Sequence, residues 1–404
     1  MTETIQADLA ARASVVLTPN YKPAPVVFES GRGVWLQDAE GQRYLDFTAG
    51  IAVCALGHGH PALTRAITQQ AENLLHVSNL YLNRPSIELA EKLTQISFAD
   101  RVYFSNSGAE SNEAALKLAR RYCQVVRGEG HRNEFISTKM SFHGRTWAAI
   151  SATGQEKYHQ GFGPLVPGFR HVPYNDLDAM AAAVTPQTCA IIVEPIQGEG
   201  GIIVPDDGYL EGLRALCDQH DIVLIFDEVQ TGIGRTGHWF AYQHSGVEPD
   251  IISLAKGLGG GVPIGAMMCS NKVADGFQPG VHATTYGGNP LVCGAALTVL
   301  ETIESENLME NSRLVGDYLA ASLAPLIERF DGFNEVRGRG LMRGIGVDPE
   351  RVDRVAIMAK ARDLGLLITT AGKDALRLVP PLIVGRAHVD EAVAVLTRAI
   401  EECR

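Results

Sequence analysis

Clustered positive charge is missing from this sequence. Its 35 Lys+Arg stand against 46 Asp+Glu among 404 residues, a net charge of −11. Neutralising a nucleic-acid backbone takes grouped Lys and Arg, so that class of partner is excluded. Pairs such as Arg120-Arg121 fall inside helical patterns and read as a solvated face. Long apolar runs are missing too, since nothing approaches the ~18–20 residues of a membrane span. The first residues, with Glu3 and Asp8, lack the basic and apolar segments of an export signal, so a cytoplasmic protein is expected.

Cysteine is sparse. The seven, scattered from Cys54 to Cys403, are odd in number and form no CxxC pair, which speaks against a disulfide framework and against zinc. His58-Gly59-His60 has no third ligand at suitable spacing and reads as a turn entering a helix after Pro61. A phosphate-holding GxxxxGK[ST] is absent as well. The apolar run ending in Asp227-Glu228 looks like the acidic segment of a nucleotide hydrolase. The only Gly-Lys pair, Gly372-Lys373, is followed by Asp374, and without the phosphate loop that reading fails.

What is present is an ordinary globular composition, 46% hydrophobic and 20% charged, with ample material for a core. At ~100–200 residues per domain the length suits two domains or one large α/β unit. Short apolar runs at Arg101–Ser105, Cys189–Val193, Ile222–Phe226, Ile251–Leu254 and Ile264–Cys269 predict strands. Helical periodicity at Glu110–Val126, Tyr209–His220 and Pro290–Ile303 alternates with them. That alternation predicts a mostly parallel sheet with helices on both faces. Beyond it, one long helical stretch over about Pro290–Phe330 precedes short strands at Phe333–Val336, Leu341–Val347, Leu366–Thr369 and Leu376–Val379. A helix near Arg351–Leu364 and a terminal helix complete a smaller α+β domain.

Several segments carry chemistry. In Phe104-Ser105-Asn106-Ser107-Gly108-Ala109-Glu110 a strand gives way to a helix, with Ser107 and Glu110 in capping-box spacing. The unobstructed first turn makes either an anion pocket or simply a capped helix. Phe142-His143-Gly144-Arg145-Thr146 offers an aromatic lid and a guanidinium fork, or a core phenylalanine beside a surface arginine. Glu199, in the glycine-rich loop after Val193, either faces a cleft at a strand's C-terminal end or is a solvated loop acid. The literal GxGxxG at Gly232–Gly237 stands five residues past its strand and opens no clear helix. It reads as a glycine-rich loop, not a dinucleotide fingerprint.

Lys256 closes an apolar strand and runs into glycines. Burying an ammonium there is costly unless it is paired, neutralised or bound covalently, although snorkelling past the strand end is the plain alternative. Thr284 and Thr285 precede a Gly-Gly turn and a helix opening at Pro290, and could cap or contact a phosphate. Arg377 interrupts an apolar strand and so should be paired.

Taken in order, SNSGAE, FHGRT, EPIQGEGG, FDEVQTGIGRTG, SLAKGLGGG, TTYGGNP and LRLVPPL resemble the class III aminotransferases that use pyridoxal 5'-phosphate. Within that class the chain is most similar to the branch acting on N-acylornithines, acetylated first and succinylated next. The resemblance implies an α/β chain of the fold-type I PLP-dependent transferases. It would have an N-terminal segment (1–60) packing with the small domain, a large cofactor-binding domain (61–292) and a C-terminal small domain (293–404). It implies Lys256 as the cofactor's Schiff-base anchor and Asp227 as partner of the ring nitrogen. Gln230 would bond the ring's 3-hydroxyl, Phe142 would stack on the ring, and Glu228 and Val229 would flank them. Ser107, Gly108 and Ala109 would hold the phosphate, joined by Thr285 from the other subunit of a homodimer. Arg145, Tyr21 and Thr284 would bind a substrate carboxylate, and Arg377 the α-carboxylate of an oxo acid, with Glu199 covering Arg377 in between. The implied substrates are an N-acylornithine and the pair 2-oxoglutarate/glutamate, in a ping-pong cycle; no metal is implied.

Overall fold

Three short strands, β1 (Phe28–Arg32), β2 (Trp35–Asp38) and β3 (Arg43–Asp46), form an antiparallel meander in the computed structural model, which describes residues 5–404. Glu3 lies outside the described residues. Just past β3 the backbone is strained: Ala49, Gly50, Ile51 and Ala52 have φ of 47°, 63°, 67° and 62°. Left-handed backbone costs any residue with a Cβ, a β-branched isoleucine most. Asp46 fixes the turn. Its Oδ1 accepts from the backbone N–H of Thr48 and Ala49, at 2.8 and 2.9 Å, and its Oδ2 lies 2.8 Å from His58 Nε2. The His58-Gly59-His60 segment leads into the helix Pro61–Asn73, and no group able to hold a metal occurs among the described residues.

The main sheet collects β4 (Arg101–Ser105), β5 (Glu134–Thr138), β6 (Phe169–Val172), β7 (Thr188–Val193), β8 (Val223–Asp227), β9 (Ile251–Leu254) and β10 (Gly265–Cys269). Their order is β4-β10-β9-β8-β7-β5-β6. Only β10 runs against its neighbours, so the sheet is mostly parallel. Strands buried on both faces need no polar alternation, and β7, β8 and β9 are buried throughout. Ile192, Ile225 and Ile251 pack toward the helix Gly108–Arg121. Ile191, Leu224, Phe226 and Ile252 share the opposite core with Leu213 and Cys217 of the helix Tyr209–His220. Each such side chain contributes roughly 1.5–3 kcal/mol of burial. These layers hold the C-terminal ends of β7, β8 and β9 rigidly beside one another.

The C-terminal part builds a third sheet, which is antiparallel. It contains β11 (Phe333–Arg339), β12 (Met342–Val347), β14 (Thr369–Ala371) and β15 (Ala375–Leu378), in the order β11-β12-β15-β14. The two-residue β13 (Leu366–Leu367) instead joins β3 in parallel and ties the two ends of the chain together. The single long helix expected over Pro290–Phe330 is two helices, Pro290–Ser305 and Leu308–Arg329. Asn307, at φ 54°, breaks them; asparagine tolerates that conformation better than most residues. The first of the pair packs on the helices Pro61–Asn73 and Arg84–Gln95. The glycine-rich segment Gly232–Gly237 is a loop that opens no long helix. Its Arg235 is buried against the carbonyls of Leu341 and Pro380.

Candidate active site

Asp227 ends β8 and Lys256 follows β9, so adjacent parallel strands deliver both to one cavity of about 420 Å³. Ligands bind at this end of open α/β sheets. Asp227 is 3% exposed. Its Oδ2 accepts from Asn112 Nδ2 at 2.7 Å and lies 2.8 Å from His143 Nδ1, while its Oδ1 accepts from the Val229 N–H at 3.0 Å. A carboxylate can only accept, so the imidazole proton is on Nδ1. His143 Nε2 and Asn112 Oδ1 are buried in the same wall with no partner in the protein.

Lys256 has φ +40°, left-handed for a residue with a long side chain. Strain of that kind is held in place only where the surroundings over-determine it. Burial, and then the positive charge of Arg377, push its ammonium below the ordinary lysine value, against Glu199, Asp227 and Glu194. The amine is therefore unusually ready to be neutral and nucleophilic.

The helix Gly108–Arg121 points its N-terminus at the cavity, which Ser107, Gly108 and Ala109 line. Ser107 Oγ caps it by accepting from the Glu110 N–H at 3.2 Å. Glu110 does not complete the expected capping box on Ser107. It reaches one residue further, to the backbone N–H of Asn106 at 2.6 Å, because the Asn106 side chain offers the same carboxylate a second donor at 2.8 Å. First-turn N–H groups have no intrahelical partner, and here they open on the cavity as a site for an anion. A Cβ on Gly108 would meet Val229 Cγ1 at 2.8 Å, so only glycine lets this turn sit so close to the end of β8.

Arg145 lines the cavity, and a second arginine, Arg377, lies behind its wall against Glu199 and Gln230. Arg377, 2% exposed on β15, pairs through Nη1 with Glu199 Oε1. The same nitrogen donates to Gln230 Oε1 at 3.2 Å, and Nε donates to Thr369 Oγ1 at 3.0 Å. Burial acts to raise the Glu199 carboxyl, but Arg377 and then Lys256 outweigh it and hold it below its ordinary value. Arg145 is exposed at the mouth. Its guanidinium carbon stacks 3.9 Å from the Tyr158 ring centre and 5.4 Å from that of Phe142.

Phe142, Val229 and Gln230 also line the cavity. Other expected residues are elsewhere. Glu228 turns away and accepts from the N–H groups of Ala241 and Tyr242, at 2.8 Å each. Thr284 Oγ1 accepts from Asn106 Nδ2 at 3.2 Å, just behind the lining. Thr285 is exposed beside Asn79 and Asn83, and Tyr21 is 82% exposed and outside the cavity. Sequence reasoning assigned no role to Asn112, His143, Tyr158 or Glu194. Only His143 and Glu194 stood inside motifs that drew notice. Asn112, one turn into the helix Gly108–Arg121, carries no local signal, and Tyr158 reaches Arg145 from the short helix Glu156–Tyr158.

A lysine amine held below its ordinary value, a buried acid, an anion pocket, an aromatic wall and unpartnered polar atoms in one cavity fit pyridoxal 5'-phosphate. Nitrogen transfer through that cofactor is the chemistry the fold and site define. The family model described as Aminotransferase class-III matches residues 16–400, and the chain belongs to that family of PLP-dependent enzymes. It is 52% identical, over 93% of both chains, to the acetylornithine aminotransferase of Gloeobacter violaceus. It is 50% identical to that of Caldanaerobacter subterraneus over 96% of this chain and 98% of the other. The ornithine aminotransferase of Toxoplasma gondii, described with PLP partly occupying its active site, superposes with a TM-score of 0.96. Identity there is 33%, over 100% of this chain and 95% of that one.

Proposed function

We propose that this aminotransferase moves the δ-amino group of N-acetylornithine to 2-oxoglutarate, giving N-acetylglutamate 5-semialdehyde and glutamate. The observation that carries the reading is the masked arginine: Arg377, buried behind the cavity that Arg145 and Lys256 line, is paired with Glu199 of the cavity wall. A donor with one distant carboxylate needs one arginine, whereas an α-keto dicarboxylate needs two. The names of the two bacterial relatives at 50–52% identity support the donor.

In this reading Lys256 anchors the cofactor and Asp227 holds its ring nitrogen, oriented by Asn112 and His143. The N-terminus of the helix Gly108–Arg121 takes the phosphate, Phe142 covers the ring face, and Val229 and Gln230 border it. The bound cofactor supplies the electron sink that makes a carbon beside nitrogen acidic. Lys256 Nζ then accepts the proton lost from the donor's amine-bearing carbon in the first half-reaction, and supplies one to the carbon of 2-oxoglutarate that receives the nitrogen in the second. In the first half-reaction Arg145 grips the donor's carboxylate while Glu199 stays on Arg377. In the second, Glu199 withdraws, and the α-carboxylate of 2-oxoglutarate takes its place in a bidentate pair.

Free ornithine is the second reading, favoured by the likeness to the Toxoplasma gondii enzyme; succinylornithine and 4-aminobutyrate are the remaining alternatives. Steady-state kcat/KM with each donor against 2-oxoglutarate tests the assignment. N-acetylornithine should lead by about tenfold or more, a margin of ~1.4 kcal/mol. A lead by free ornithine would replace the donor.

The reading extends to a cytoplasmic homodimer. No helix among the described residues is long and apolar enough to cross a membrane. Leu80, Tyr81, Leu82 and Tyr286 are 84%, 72%, 89% and 63% exposed. Asn79 and Asn83 bond their segment to the carbonyls of Gly287 and Gly288. In this reading Thr285, exposed beside Asn79 and Asn83, would contribute to a second copy's phosphate site.

A further inference from the structure

Glu194 follows β7 in the wall of the cavity, 5% exposed, and touches neither arginine. Its two carboxyl oxygens are used separately. Oε2 accepts from the Phe142 N–H at 3.1 Å, and Oε1 accepts from the Gly198 N–H at 3.1 Å. Each of those backbone groups belongs to one carboxylate-binding arm. Phe142 meets Tyr158 edge-on at 5.7 Å, and Arg145 stacks on both rings. Gly198 lies directly under the Gln230 amide with no room for a Cβ, and the next residue is Glu199, on Arg377. The Glu199 carbonyl in turn accepts from the Gly372 N–H at 2.8 Å. Glu194 itself is well anchored, because Tyr174 donates to its backbone carbonyl at 3.0 Å.

We infer that Glu194 is a positioning residue that spans the two arms and sets the distance between the Arg145 and Arg377 sites, hence the substrate length the cavity accepts. The inference rests on the two-arginine reading above. Its chemical basis is that two N–H donors converge on one side chain. Only a carboxylate can accept at both ends; an amide of the same shape would turn an N–H₂ toward one of them. The acid is kept at a cost. Burial, and secondarily the charge of Asp227, push its carboxyl up to about 7, despite His143 and the two backbone donors. A buried acid whose side chain is bonded to those two N–H groups, and to neither Lys256 nor Asp227, is explained by what it holds apart.

The experiment compares Glu194→Gln with the wild-type holoenzyme in both half-reactions, and measures amide hydrogen exchange over residues 141–146 and 196–201. The expected result is a KM raised about tenfold for both N-acetylornithine and 2-oxoglutarate, with kcat and cofactor absorbance little changed and faster exchange in both segments. Unchanged KM values, or a fall in kcat alone, would overturn the inference, the latter by placing Glu194 in the chemistry through Asp227. If Glu194→Gln does not yield folded holoenzyme, Glu194→Asp keeps the charge but is too short to reach both N–H groups. It should show the same KM rise, and wild-type KM values in it would overturn the inference equally. Arg377→Ala distinguishes the two layers: an unchanged KM for 2-oxoglutarate there would bring down the two-arginine reading itself, independently of Glu194.

Discussion

Arg377, all but inaccessible on β15, is ion-paired with Glu199 from the loop after β7. Arg377 comes from the C-terminal antiparallel sheet and Glu199 from a loop leaving the main sheet, and they meet at the wall of the cavity. A buried arginine without its acid would be left uncompensated, and an incoming carboxylate can supply the missing charge.

Glu199→Ala therefore leaves Arg377 open to any substrate carboxylate. Single-turnover rates should shift donor preference from N-acetylornithine toward glutamate by about tenfold, ~1.4 kcal/mol. Unaltered preference and unaltered half-reactions would remove the gate.

Asp227→Asn keeps the shape of the side chain but loses the negative charge that faces Asn112 Nδ2 and His143 Nδ1 and that, in the proposed reading, holds the cofactor's ring nitrogen. PLP should still bind, and kcat should fall by roughly 10²–10⁴-fold, the scale of a lost proton-handling group. A fall below tenfold would mean that the ring nitrogen finds its partner elsewhere.

Gly108→Ala introduces a methyl that meets Val229 Cγ1 at 2.8 Å. The first helical turn must retreat from the end of β8, weakening the anion site. PLP affinity, measured by equilibrium titration, should drop about tenfold, with little loss of thermal stability. Unchanged affinity would move the phosphate away from this turn.

Glu228 is buried and pushed up to about 7, chiefly by burial. A carboxyl whose folded value lies above its unfolded one binds its proton more tightly in the native state. Stability then falls as pH rises from about 4.5 toward 7, by about 3 kcal/mol in all, and levels off above. Glu194 adds a slope of the same sign. Melting temperature plotted over pH 4.5–7 should decline less steeply in Glu228→Gln than in wild type. Parallel profiles would show that Glu228 is ionised at little cost.

Much of this site was legible because it breaks local rules. Lys256 and Asp227 put charge at the ends of apolar strands, and Arg377 puts it inside one, where packing alone would forbid it. The strands β7, β8 and β9 were readable to within a residue, since burial on both faces leaves an unbroken apolar run. Glu134–Thr138 and Phe169–Val172 were not, because Glu134, Ser137 and Thr138 in one and Arg170 and His171 in the other leave only two apolar residues in each. Tyr158 could not be foreseen beneath Arg145, nor the Glu194 carboxyl between two loops. Those contacts join residues through space and leave no periodicity in the chain. Asn307 hid the break in the long helical stretch for a related reason: one residue in a left-handed conformation ends a helix that the apolar pattern alone would continue.

The most direct test of the account is an absorbance titration of the purified protein loaded with PLP. The visible absorption of cofactor held through Lys256 should be lost on adding N-acetylornithine and restored by 2-oxoglutarate, with stoichiometric formation of glutamate. A protein that acquires no such absorption from added PLP, or whose absorption N-acetylornithine leaves untouched, would contradict it.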